Sequence, residues 1–275
     1  MRPLAEQTVL VTGATDGLGR AVATELARGG ATVLVHGRNE ERGQATIAEI
    51  RNGAGGGSLR WYRADLSSLD EVSGLADRVL EREPHLDALV ANAGIGVTLP
   101  GDGERMESRD GHELRFAVNY LAHFALIRRL RRLIRSSAPA RIVNVSSAGQ
   151  APIDFDDVML ERGYTGIQAY CQSKLAQAML TFDLAEELGD AGVTANCLHP
   201  ATYMPTKMVT QAGVTPASSL TDGVRATVRL IADPDLDGVT GRYYDGESEA
   251  RAHPQAYEVE ARRRLRELSE RLTAR

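Results

Sequence analysis

The sequence predicts an α/β protein folded as a single doubly wound domain, with a seven-stranded, mostly parallel sheet and a C-terminal helical extension. Three observations carry that expectation. Short β-branched or apolar runs alternate with stretches of helical period from the first residues onward. No Pro/Gly/Ser-rich linker and no internal repeat divides the chain. Its 275 residues, 43% hydrophobic and 25% charged, suffice for one large core without a metal or disulfide staple. Residues 1–250 are assigned to the domain and 251–275 to a charged helix.

Taken in order, Thr8–Thr12 is a β-branched strand that runs into glycines and then a helix through about Arg28. Ala31–Val35 is the second strand, and Asn39 is placed to cap a helix over Glu40–Arg51. The third strand lies near Leu59–Arg63, and Ser68-Leu69-Asp70-Glu71 reads as a capping box. Leu86–Ala91 and Arg141–Val145 are strands flanking a long helix between about Asp110 and Arg135. Gln168–Leu188 is helical, with Leu180, Leu184 and Leu188 on one face. Val193–Leu198 is the sixth strand, a helix follows near Leu220–Ile231, and a seventh short strand falls near Gly241–Tyr244. The tail, Ala256–Leu272, is charged and helical, with Leu265, Leu268 and Leu272 on one side.

Composition excludes several classes. A formal net charge of −5 argues against a protein that coats nucleic acid. Arg262, Arg263 and Arg264 are interleaved with glutamates, which reads as a solvated amphipathic helix docking on its own domain or on a second subunit. No apolar run reaches the length of a membrane span, and Met1–Glu6 lacks the core of a secretory signal. Cys171 and Cys197 alone make no disulfide framework or thiolate metal site, so no metal and a reducing cytoplasm are expected. Only Lys174 and Lys207 are lysine among 32 basic residues, so a position that keeps lysine has a reason to.

Chemistry concentrates at the ends of the strands. Thr12-Gly13-Ala14-Thr15-Asp16-Gly17-Leu18-Gly19 follows the first strand and opens a helix, where glycines let the backbone approach a pyrophosphate. The G-x-x-x-G-x-G spacing resembles the short-chain dehydrogenase/reductase family, which implies a Rossmann-type domain. Asp65-Leu66, Asn92-Ala93-Gly94, Asn119, Asn144-Val145-Ser146-Ser147, Tyr170-Cys171-Gln172-Ser173-Lys174 and His199-Pro200 extend that resemblance, in order, over residues 8 to about 245.

The resemblance implies a catalytic set of Asn119, Ser147, Tyr170 and Lys174. A ketone that accepts hydride gains negative charge on oxygen and must receive a proton. Tyrosine, with a pKa near ~10, needs its phenolate stabilised, and an ammonium one helical turn away can do that. Tyr170 is the expected acid/base and Lys174 its tuner; the family also gives Lys174 a ribose contact and Asn119 a relay water. Ser146 and Ser147 are both candidates to donate to the substrate oxygen, and the family's pattern selects Ser147. The cofactor-binding set the resemblance implies comprises Gly13, Thr15, Asp16, Gly17, Leu18, Gly19, Arg38, Asp65, Leu66, Asn92, Ala93, Gly94, Tyr170, Lys174, Pro200 and Thr202.

Cofactor choice is read from His36-Gly37-Arg38-Asn39. An NAD(H) enzyme needs an acid here for the ribose hydroxyls, and Gly37 stands in its place. The guanidinium of Arg38 suits a 2′-phosphate, so NADP(H) is expected rather than NAD(H). Asp16 runs against this, because NADP(H) enzymes of the family often carry a basic residue there.

The 22 residues between Ser147 and Tyr170, with Gln150–Asp157, resemble the retinol-dehydrogenase-like branch. Where the family usually has Pro-Gly, this chain has Pro200-Ala201, although glycine would allow a positive φ. Thr202–Val209 resembles the substrate lid, and both Thr202 and Thr206 are candidates for the nicotinamide carboxamide. Tyr203, Met204, Met208 and Val209, with Ile153 and Phe155, suggest a bulky apolar or aromatic substrate. The expected function is hydride transfer between NADP(H) and a small-molecule carbonyl or alcohol, with no nucleic-acid or membrane partner. The family resemblance implies a homodimer or homotetramer. The alternative, a non-catalytic NADP-sensing protein, sits poorly with a complete Tyr170/Lys174 pair.

Overall fold

The computed structural model describes residues 1–54, 56–97 and 104–274. Its sheet comprises β1 (Thr8–Val11), β2 (Thr32–Gly37), β3 (Leu59–Arg63), β4 (Ala88–Ala91), β5 (Ala140–Val145), β6 (Val193–His199), β7 (Tyr243–Asp245) and β8 (Ser248–Ala250). The spatial order is β3-β2-β1-β4-β5-β6-β7-β8. All neighbours are parallel except β7 and β8. Strand order reverses between β1 and β4, which opens a crevice at their carboxyl ends.

Helices cover both faces, as the buried apolar strands require. The helices are α1 (Gly17–Arg28), α2 (Glu40–Ala54), α3 (Leu69–Arg82), α4 (Ala122–Ser136), α5 (Gly166–Leu188), α6 (Lys207–Gln211), α7 (Leu220–Ala232) and α8 (Val259–Thr273). One core lies under α1, α2 and α7, around Val9, Val11, Val33, Val35, Leu26 and Leu230. The other lies under α3, α4, α5 and α8, around Leu10, Leu34, Leu89, Phe116, Leu130 and Leu175. The alternation along β1 and β2 between the two cores is the period-2 pattern of a strand buried on both faces.

Several expectations need adjusting. The sheet has one strand more than the seven read from the sequence. Ser248–Ala250 is short and mostly exposed, so it carries no apolar run to reveal it. The helix expected from about Asp110 starts later, because Asp110 accepts from Leu69 N at 2.8 Å and Glu107 bridges to Glu113. It begins at Leu114 and widens at once into a π-helical stretch, Phe116–Leu121, before becoming α4. Asn39 caps α2 as expected, accepting from Arg42 N at 2.8 Å. Ser68 accepts from Glu71 N, but the Glu71 carboxylate accepts from Asp65 N at 2.9 Å, so only half the capping box forms. The tail begins with a 3₁₀ turn at Pro254–Tyr257, and α8 follows it.

The leucine stripe of α8 docks on its own chain. Leu265 is buried, Leu268 and Leu272 pack beside it, and Tyr120 and Ser269 hydroxyls meet at 2.7 Å. Arg262 pairs with Asp183 at 2.9 Å and with Glu186, fastening α8 to α5. Arg263 pairs with Glu260 and Glu267, as a solvated amphipathic face should.

Candidate active site

The crevice between β1 and β4 is held by buried polar contacts. The Thr12 hydroxyl accepts from Asn92 N at 2.9 Å and Ala93 N at 3.0 Å, and the Asn92 amide donates to Thr12 O at 2.8 Å. The glycine loop is therefore clamped to the Asn92-Ala93-Gly94 turn. Gly13 has φ +65°, and an added Cβ there would lie 2.8 Å from Ala93 Cα; one at Gly19 would lie 2.3 Å from Gly13 O. Side chains cannot occupy these positions, and the first-turn N–H groups of α1 face a cradle shaped for an anion. A Cβ at Gly94 would come 3.2 Å from Asn119 Oδ1 and 3.6 Å from Lys174 Nζ, so glycine also keeps the space before those groups open. These features fit a dinucleotide.

Two histidines missed by the sequence reading anchor the cradle. His36 Nδ1 accepts from Gly13 N at 3.1 Å, while Nε2 lies 3.2 Å from Ala64 O. His123 Nδ1 lies 2.9 Å from Asn119 O, and Nε2 lies 3.0 Å from the Thr12 hydroxyl. Burial holds both near a pKa of about 4, and for His36 the proximity of His123 adds to the effect. Both rings are neutral at pH 7, so each offers one donor and one acceptor. The i, i+4 spacing of Asn119 and His123 was the available signal, though it is common on any helix.

Four groups converge beyond the cradle. Tyr170 and Lys174 project from α5, with Lys174 Nζ 5.7 Å from the centroid of the tyrosine ring. Lys174 is buried and donates to Val145 O at 3.0 Å and Gln177 Oε1 at 2.8 Å. Burial lowers its pKa to about 7. Burial raises the Tyr170 phenol above its ordinary value, while the facing Ser147 hydroxyl pulls it the other way. The two serines part company. Ser146 is buried and donates to Lys174 O at 2.7 Å, whereas Ser147 faces the phenol. Asn119 lies in the π-helical stretch; it accepts from Ile95 N at 2.8 Å and donates to Ser173 Oγ at 2.9 Å. A wider turn at this place fits the frequent use of π-bulges at functional sites.

At the far end of the cradle, Arg38 is exposed at the end of β2. Among the described residues it has no hydrogen-bond or ion-pair partner, though its charge acts on Asp65. Asp65 accepts from Ser67 N at 3.0 Å and Oγ at 2.8 Å, while Leu66 is buried. Gly37 has a steric reason the sequence did not reveal. A Cβ there would lie 2.7 Å from Thr15 Cγ2 and 3.0 Å from Trp61 Cη2, so an acid at this position would displace both neighbours.

The lid corrects other expectations. Ala201 is not among the positive-φ residues; the left-handed residue is Tyr203, at φ 47°. Thr202 turns its hydroxyl to His199 Nε2 at 3.0 Å, while Thr206 lies against Gly17. Ile153 belongs to the core, held by Gln255 through its backbone, and Phe155 packs partly buried at the edge of that core, under Arg264. Met204 packs on Leu18 and Gly223. These three apolar side chains do not form the substrate wall read from the sequence. Tyr203 and Met208 remain exposed, together with Ile167 at the start of α5.

Residues 7–216 match the short chain dehydrogenase family, and the chain belongs to it. It is similar to retinol dehydrogenase 14 of Homo sapiens, 35% identical over 96% of this chain and 85% of that one. Among solved structures, an uncharacterized protein from Mycobacterium paratuberculosis superposes with a TM-score of 0.79 at 29% identity, covering 98% of this chain and 94% of the other. A structure from Shigella flexneri 2a str. 301, described as a short chain dehydrogenase complexed with NADP, gives 0.71 at 29% identity, with 88% and 97% covered. No helix among the described residues is long and apolar enough to cross a membrane, and they contain no cluster able to hold a metal ion.

Proposed function

We propose that this protein is an NADP(H)-dependent oxidoreductase that moves hydride between the nicotinamide and a carbonyl or alcohol substrate. The observation that carries the reading is the meeting of Tyr170, Ser147, Lys174 and Asn119 beside an anion cradle that a Cβ would fill. The NADP complex of the similar Shigella flexneri structure and the retinol dehydrogenase relatives support it.

The bound cofactor supplies the hydride, and the protein's own groups manage the charge and proton. Ser147 donates a hydrogen bond to the carbonyl oxygen as it becomes negative. Tyr170 gives that oxygen its proton and in the reverse direction removes it. Lys174, already holding Val145 and Gln177 with two of its N–H donors, has a third to turn toward the phenol and the cofactor ribose. In its protonated form its positive charge favours the phenolate, opposing the effect of burial. Asn119 holds the turn beside Ile95 with its side-chain amide, and the family resemblance gives it the relay water. Arg38 takes the 2′-phosphate, Asp65 and Leu66 border the adenine, and Thr206 rather than Thr202 faces the nicotinamide side. Exposed Ile167, Tyr203 and Met208 favour a bulky apolar carbonyl compound.

Titration with NADPH and NADH, followed by a carbonyl panel read at the nicotinamide absorbance, tests the proposal. Arg38→Leu should reduce the NADPH preference by roughly 10- to 150-fold, the worth of one charge-assisted contact. Tight NADPH binding without turnover on any carbonyl would instead indicate a cofactor sensor.

A further inference from the structure

The only two lysines of the chain divide between the two sides of the cleft. Lys174 belongs to the site already described. Lys207 opens α6, and its Nζ lies 2.7 Å from Oδ2 of Asp16. Asp16 is the one acid of the glycine loop, and it fits a phosphate cradle least well, since its carboxylate stands at the α1 N-terminus. It accepts from Gly17 N at 2.8 Å and feels the charges of Lys207 and Arg42. Its neighbour Thr15 lies against Gly37, the residue before Arg38. Arg42 and Lys207 therefore bring two cations to the single loop carboxylate, while Arg38 acts on Asp65 nearby.

We propose that Lys207 is a determinant of cofactor affinity and preference: by pairing with Asp16 it cancels the negative charge of the glycine loop and ties the lid across it. The inference rests on the NADP(H) reading and adds a residue to it.

The energetics select the readout. The pair is solvent-exposed, with side-chain accessibilities of 61% and 38%, so it adds little to folding stability. Its effect appears when a phosphate dianion arrives, because an unpaired carboxylate would repel that group. The lid has other anchors, Met204 on Gly223 and Met208 on Gly96, so it keeps its place without the ion pair.

The experiment is a cycle of Lys207→Met, Asp16→Asn and the double variant in the full chain, each titrated with NADPH and NADH and melted without cofactor. Lys207→Met should weaken NADPH binding about tenfold and NADH binding about threefold or less, with the unfolding temperature unchanged. Adding Asp16→Asn should return NADPH affinity to within about twofold of wild type, because the repelling charge is gone. Unchanged NADPH affinity in Lys207→Met, equal losses for both cofactors, or failure of Asp16→Asn to rescue would each overturn the proposal. If the wild-type protein binds no NADPH, the cofactor assignment itself falls, which is a different result from normal wild-type binding with indifferent variants.

Discussion

The two walls of the cleft are built on different principles. On the wall formed by the π-helical stretch, β5 and α5, the groups Asn119, Ser146, Ser173 and Lys174 are buried, and each has identified hydrogen-bond partners. On the lid wall, Thr202, Tyr203, Lys207 and Met208 are exposed, and the lid reaches the glycine loop through an ion pair and a threonine methyl. In the proposed mechanism proton transfer tolerates little displacement of its groups, and the first wall is over-determined. Binding and release need a segment that can move, and such segments have few buried contacts. Variants on the two walls should therefore fail in different ways.

The sharpest test of the fixed wall is Tyr170→Phe, which removes a proton and little else. Turnover should fall toward the upper end of the roughly 10²–10⁴-fold attributed to a positioned acid/base. NADPH affinity should stay within about twofold, because the aromatic ring remains in place. Retained turnover would show that another group moves the proton. Ser147→Ala should come next, with a loss of roughly 10²–10³ in kcat for one missing donor. Ser146→Ala removes the bond to Lys174 O and should cost about 1 kcal/mol in stability with a smaller effect on rate. The reverse ranking in kinetic assays would mean that the two hydroxyls exchange places during the reaction.

The same wall should also be sensitive to acid. His36 and His123 titrate near about 4 in the folded protein, below the usual 6.5 of an unfolded chain. The unfolded chain then binds protons first, so this stability is complete above the unfolded value and is lost as pH falls toward the folded one. The shift corresponds to on the order of 3 kcal/mol for each ring. Urea unfolding between about pH 7.5 and pH 4.5 should show the decline, and His123→Gln should flatten it. A level unfolding free energy across that interval would contradict the neutral-histidine anchors.

What the sequence made legible follows the same division. Tyr170, Lys174 and Ser147 were singled out through the family's motifs, and the structure brings the three together; the glycine loop was readable because close backbone approach admits nothing larger. The strands were readable from apolar runs, apart from Ser248–Ala250, which has none. His36 and His123 were not readable, since their work depends on contacts with the residues that follow β1 and β3, which only the fold creates. Ile153, Phe155 and Met204 were misplaced because hydrophobicity cannot say which apolar surface a loop residue meets. Asp16 and Lys207, 191 positions apart in the chain, looked like unrelated oddities until the lid brought them together.

The smallest expected effects lie on the lid, where a pair of glycine substitutions should differ in sign. Ala201 sits where the family usually has glycine, yet it does not adopt a positive φ, so glycine's extra freedom is unused there. Ala201→Gly should lower stability by about 0.4–1 kcal/mol, because it mainly enlarges the unfolded ensemble. Tyr203 does occupy the left-handed region, at φ 47°, where an ordinary side chain is strained by about 1–2 kcal/mol. Tyr203→Gly relieves that strain but adds unfolded-state freedom, so it should be neutral to stabilising by about 1 kcal/mol. Its exposed ring gives up little packing. Paired urea titrations measure both differences without depending on substrate. If Ala201→Gly proved the stabilising change and Tyr203→Gly the damaging one, the turn of the lid would lie at Ala201, and Thr202 rather than Thr206 would return as the residue facing the nicotinamide.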